Sequence, residues 1–64
     1  MNTSSETWAF ADGITAGGEW FNRAIDKGDW EAPDNPFPKG SAEAEEWARG
    51  LHLGFSALED AYFA

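Results

Sequence analysis

Three prolines fall within six residues, at Pro33, Pro36 and Pro38, and they decide how this chain can be built. Proline fixes its own φ near −65°, has no N–H to donate, and pushes the residue before it out of the helical region. Residues 29–40 therefore cannot be regular helix. On either side the apolar residues recur at helical spacing, which predicts a helix over about residues 4–28, a connector over 29–40 and a helix over 41–63. A connector that carries Trp30 and Phe37 is expected to be ordered, folding those rings back onto the helices. The expected fold is all-α: one small helical domain, a two-helix antiparallel hairpin with a Pro-rich ordered connector.

The first helix opens at Thr3-Ser4-Ser5-Glu6, which fits a capping box of an N-cap hydroxyl and a glutamate three residues on. Two apolar stripes follow. One runs Trp8, Ala11, Ile14, Gly18, Phe21, Ile25; the other runs Phe10, Gly13, Gly17, Trp20, Ala24. Gly28 suits the position just past the helix end, with Arg23 and Lys27 well placed against the negative end of the dipole. Gly13, Gly17 and Gly18 each weaken a helix interior by about 1 kcal/mol relative to alanine. Either they break the helix or they allow a neighbour to approach closely. Close approach is the expectation, because Gly13-x-x-x-Gly17 recurs as Gly50-x-x-x-Gly54 on the second helix and each pair lies on one face.

Ser41 is the expected cap of the second helix, with Glu43, Glu45 and Glu46 in its first turns, where the dipole favours anions. Its apolar face reads Ala44, Trp47, Ala48, Leu51, Phe55, Leu58, Tyr62, and Arg49 is spaced to pair with Glu45. Two helices alone give a thin core, and ten aromatic residues, four of them Trp, exceed what one seam can hide. A homodimer or a different partner protein would cover the surplus, with Phe10, Trp20 and Trp30 as the candidate aromatic contacts.

Charge narrows the partner. Twelve Asp and Glu against four Lys and Arg give a net charge of −8, which repels phosphate backbones and anionic lipid and favours basic protein surfaces. Direct nucleic-acid binding and membrane binding are thereby disfavoured. No run reaches the roughly 18 apolar residues of a membrane span, and the N-terminus has neither the basic nor the apolar region of a secretory signal, so the expected location is the bacterial host cytosol. With no cysteine and one histidine, His52, neither a disulfide nor a metal site is expected, and no cofactor is implied.

The segment Asn35-Pro36-Phe37-Pro38-Lys39-Gly40-Ser41, followed by Trp47 and Gly50, resembles the signature of the ribosome modulation factor-like family, in which a Pro-aromatic-Pro-x-Gly-Ser loop leads into a helix bearing Trp-x-x-Gly. Gly13-x-x-Ala16-Gly17 is similar to the small-residue pattern of that family's first helix. The resemblance covers about residues 35–51. It implies a two-helix fold, an origin among phages and mobile elements, and candidate activities of ribosome inactivation through rRNA binding or, in some relatives, fluoroquinolone modification. This chain departs from the family in its acidity, in Asn35 where a cysteine is usual, and in Leu51 where an aromatic is usual.

Catalytic machinery is not evident. The serines sit at caps or on helix surfaces, His52 has no spaced partner, and Lys39-Gly40-Ser41 lacks the glycine pattern of a phosphate loop. The pairs Asp12 with Glu19 and Glu59 with Asp60 read as solvated acidic faces. The expected function is that of a non-enzymatic, phage-encoded inhibitor that blocks a basic nucleic-acid-binding surface of a host protein by mimicking nucleic acid, of the anti-CRISPR or anti-restriction type. The acidic residues expected to contact the partner are Asp26, Asp29, Glu31 and Asp34 around the connector. On the second helix they are Glu43, Glu45, Glu46, Glu59 and Asp60. The alternative is a ribosome-associated modulation or hibernation factor.

Overall fold

The computed structural model describes the backbone of residues 3–64 and the side chains of residues 8–64. It contains two helices, α1 (Thr3–Lys27) and α2 (Ala42–Phe63), packed against each other, with no strand among the described residues. The side chains of the Thr3 to Glu6 capping box lie outside the described residues. Helix α1 is continuous through Gly13, Gly17 and Gly18. It ends where expected: the Gly28 N–H donates to the Ala24 carbonyl at 2.9 Å while Gly28 itself takes φ +72°, the left-handed conformation that only glycine adopts without strain.

The glycines explain both the continuity and the seam. A Cβ added to Gly13 would overlap the Trp47 carbonyl oxygen and lie 3.0 Å from the Leu51 nitrogen; one added to Gly17 would overlap the Leu51 carbonyl oxygen and lie 2.8 Å from the Phe55 nitrogen. From the other side, a Cβ on Gly50 would strike the Phe10 carbonyl and one on Gly54 the Ile14 carbonyl. Each Gly-x-x-x-Gly pair thus receives the bare backbone of the opposite helix, and the two backbones touch along both notches.

The register of these contacts corrects the expected antiparallel hairpin. Gly13 meets Trp47 and Leu51, and Gly17 meets Leu51 and Phe55. Further along, Phe21 meets Phe55 and Tyr62. Residue numbers rise together on both helices, so α1 and α2 run parallel. The reason lies in the connector. Fourteen residues separate Lys27 from Ala42, and an extended chain of that length reaches roughly 45 Å, more than enough to return along the whole of α1. The prolines keep it extended, and it is pinned as it returns. The Trp20 indole N–H donates to the Trp30 carbonyl at 3.1 Å, and the Arg23 guanidinium donates to Asp29 and to the Glu31 carbonyl. At the far end Phe37 packs edge-on against Trp8 at 5.8 Å.

The connector closes onto α2 through side chains that replace backbone bonds. Asn35 accepts from the Phe37 N–H and donates to the Ala44 carbonyl at 2.8 Å. Ser41 is the N-cap: its hydroxyl accepts from the Ala44 N–H at 3.1 Å and donates to the Pro38 carbonyl at 2.7 Å. Gly40, at φ +86°, makes the turn between them.

The core is small: Ala9, Phe21, Ala24, Ala44, Trp47 and Leu51. The buried line on α1 runs through Ala9, Gly13, Gly17, Phe21 and Ala24, so it follows mainly the second expected stripe. Of the first, Phe21 is buried, Ile14 and Gly18 are half-buried, and Trp8, Ala11 and Ile25 are exposed. Leu58 and Tyr62, expected in the core face of α2, are also exposed, because parallel helices end side by side and the connector that could have covered that end has already turned away.

Candidate functional site

The nine acidic candidates do not form one stripe. Parallel packing divides them between the two ends of a body whose principal extents are 39 × 21 × 12 Å. Asp34, Glu43, Glu45 and Glu46 lie at the end where α2 begins. Asp26, Asp29, Glu31, Glu59 and Asp60 lie at or toward the end where both helices finish. All are exposed except Glu43 and Glu46, which are half-buried.

Two ion pairs involve members of this set. Arg23 Nε lies 3.1 Å from Asp29 Oδ2, and Asp29 Oδ1 accepts from the Glu31 N–H, so Asp29 folds the first turn of the connector. Arg49 pairs with Glu46, three residues before it, at 2.8 Å and not with Glu45 as the spacing suggested. Among the described residues, the carboxylates of Asp26, Glu31, Asp34, Glu45, Glu59 and Asp60 have no hydrogen-bond or ion-pair partner.

The two ends differ in what the helices do to these charges. Glu43 and Glu45 stand in the first turn of α2, where the positive end of the dipole stabilises an anion. Asp60 stands in the last turn, which has no basic residue, and an anion there is destabilising by about 0.3–1 kcal/mol. Neutralising the charges at the two ends should therefore change stability in opposite directions. We expect Asp60→Asn to raise the free energy of unfolding by about 0.3–1 kcal/mol and Glu45→Gln to lower it by a similar amount, read from urea unfolding at low salt. Equal shifts of the same sign would show that net charge alone matters.

The aromatic candidates separate as well. Trp20 is half-buried, its ring centroid 4.2 Å from that of Phe55 and its N–H spent on the Trp30 carbonyl. Trp30 is about half exposed and touches the Phe55 ring at 6.2 Å. Phe10 lines a shallow cleft of about 390 Å³ with Arg49, His52, Leu53 and Ser56. His52 and Ser56 share that cleft, yet no hydrogen bond joins them and no carboxylate orients the ring. No group of His, Asp and Glu able to hold a metal is present among the described residues, and none of the described helices is long and apolar enough to cross a membrane.

Reasoning from sequence missed the apolar end of the molecule. Ile25, Leu58, Tyr62 and Phe63 are exposed, the last two to 59% and 64%. Tyr62 packs on Phe21 and Phe63 on Tyr62, and a Cβ on Gly18 would touch Leu58 at 3.5 Å. Ile25, Leu58 and Tyr62 fit the core periodicity of their helices, and only the structure shows that α1 and α2 leave them exposed. Compared with protein-family models, with curated proteins and with solved structures, the chain matches none.

Proposed function

We propose that this protein is a small non-enzymatic inhibitor that binds a basic, nucleic-acid-binding surface of another protein and occupies it in place of the phosphate backbone. The observation that carries this reading is the set of exposed carboxylates without partners, Asp26, Glu31, Asp34, Glu45, Glu59 and Asp60, on a chain of net charge −8. Carboxylates held this way stay hydrated until a cationic surface replaces the water, and they draw such a surface in from a distance. Their grouping toward the two ends of the body offers a cationic surface two separate anionic contacts. A phage-encoded protein acting on a host defence nuclease, in the bacterial cytosol, is the setting this reading implies.

The test is capture from DNase-treated bacterial lysate followed by competition. A nucleic-acid-binding protein recovered on the immobilised chain should release a labelled duplex when the free chain is titrated in. The competing affinity should fall about ten-fold or more between roughly 50 and 200 mM salt. Failure to displace any nucleic acid ends the proposal. Recovery of intact ribosomes would instead support a ribosome-associated role, the reading that rests on the resemblance of residues 35–51. In the structure those residues shape the connector and cap α2: Asn35, Pro38 and Ser41 bond within the loop and to the first turn.

A further inference from the structure

We propose that the end at which α1 and α2 both finish is the docking surface, and that its occupant is a protein segment carrying lysine or arginine beside apolar side chains. The inference rests on the proposed function for the sign of the partner and adds which end of the molecule binds and what else the partner must carry.

Three observations converge on this end. The first is apolar exposure. Of the seven large hydrophobic residues exposed among the described residues, Ile25, Leu58, Tyr62 and Phe63 lie in the closing turns of the two helices. The second is charge. Asp26, Glu59 and Asp60 flank these residues in sequence without partners among the described residues, and Lys27 is the one basic residue in the last turn of either helix. The third is the parallel register, which brings two helix C-termini side by side. In an antiparallel pair the dipoles oppose each other at each end; here they add, giving roughly half a negative charge from each helix at the same place. A purely cationic partner would leave Tyr62 and Phe63 in water, and a purely apolar one would bury carboxylates unpaired, which is unfavourable. A basic segment with interspersed apolar residues satisfies both.

A second copy of the chain is the competing occupant, and charge weighs against it. Two copies meeting at this end would bring like carboxylates and like helix termini together with nothing of opposite sign except Lys27. The opposite end carries Asp34, Glu45 and Glu46, but the dipole of α2 already compensates its first turn and Glu46 is paired with Arg49. Among the described residues, Trp8 is the large exposed hydrophobic residue there.

The experiment uses the full chain and a synthetic helical peptide of alternating lysine and leucine faces as the probe, with NMR chemical shifts as the readout. Perturbed amides should cluster at Ile25, Leu58, Tyr62 and Phe63. The triple variant Asp26→Asn, Glu59→Gln, Asp60→Asn should bind the peptide about ten-fold more weakly. The charge-matched triple variant Asp34→Asn, Glu45→Gln, Glu46→Gln, all at the opposite end, should bind within about two-fold of the parent. Tyr62→Ser with Phe63→Ser should weaken the leucine-bearing peptide and leave binding of oligolysine unchanged. Circular dichroism confirms that each variant is folded. Equal weakening by the two charge variants, shifts centred elsewhere, or concentration-dependent shifts at these residues without peptide would each overturn the proposal, the last in favour of a second copy. The outcome is separable from the competition assay: a chain that binds the peptide here but displaces no nucleic acid keeps its docking end and loses the inhibitor role.

Discussion

Replacing Gly13 and Gly17 together with alanine is expected to unfold the protein, whereas the same change at the adjacent Gly18 should raise its melting temperature. In an isolated helix all three substitutions would help, each by about 1 kcal/mol. What separates them is the neighbour that the new methyl meets. At Gly13 and Gly17 it meets main-chain atoms of Trp47, Leu51 and Phe55, the methyl on residue 17 lying only 2.8 Å from the Phe55 nitrogen. A carbonyl inside a helix cannot rotate aside, so the helices must part. That also strands Gly50 and Gly54, whose notches depend on the same approach. Overpacking costs about 1–3 kcal/mol per site and more where the obstacle is rigid, and a 64-residue chain has only about 3–10 kcal/mol in total. At Gly18 the methyl meets the Leu58 Cδ1 at 3.5 Å, an ordinary contact. The helix-propensity gain then stands, a rise of roughly 4–8 °C. Thermal melts followed by circular dichroism test both halves. A double variant that melts at the parent temperature would remove the glycine notches as the basis of the fold.

The outcome at Gly13 and Gly17 was legible in the sequence because repeated spacing is a local signal. A spacing of four residues puts both glycines on one helix face whatever the neighbour is. The Ser41 cap and the Gly28 terminus were legible for the same reason, each being settled by bonds within a few residues. The direction of α2 was not. A connection of this size between two helices reads as a return turn, and only the bonds from Trp20 and Arg23 to the connector show that the chain turns back at once and lies against α1. That one non-local fact moved everything that depended on it. Leu58 and Tyr62 left the core, and the acidic residues divided between two ends. Of the aromatic candidates Trp30 is exposed and Phe10 lines a cleft, whereas Trp20 is half-buried against Phe55 and the connector; Tyr62 and Phe63 stand in the open as well.

The parallel sense is itself the second large prediction, because it reverses a long distance. The chain contains no cysteine, so Lys27→Cys with Glu45→Cys can be spin-labelled without competing sites, and both positions are exposed. In the register set by Gly13 and Gly17, Glu45 stands level with about residue 8 of α1. At a rise of 1.5 Å per residue, Lys27 is then roughly 28 Å away along the axis. The partner pair, Lys27→Cys with Ala64→Cys, should lie at about the usual 8–10 Å helix spacing plus the reach of the labels. An antiparallel hairpin gives the opposite ordering, with the first pair close and the second pair far apart, so pulsed dipolar spectroscopy separates the two by some 20 Å. The same measurement bears on binding. If the ordering were antiparallel, Asp26 and Asp60 would stand at opposite ends, the two helix termini would no longer reinforce one another, and the surface of Ile25, Leu58, Tyr62 and Phe63 would not exist as one patch. The sense of two helices, set by three prolines that keep a short connector straight, therefore decides where this molecule is negative and where it is adhesive.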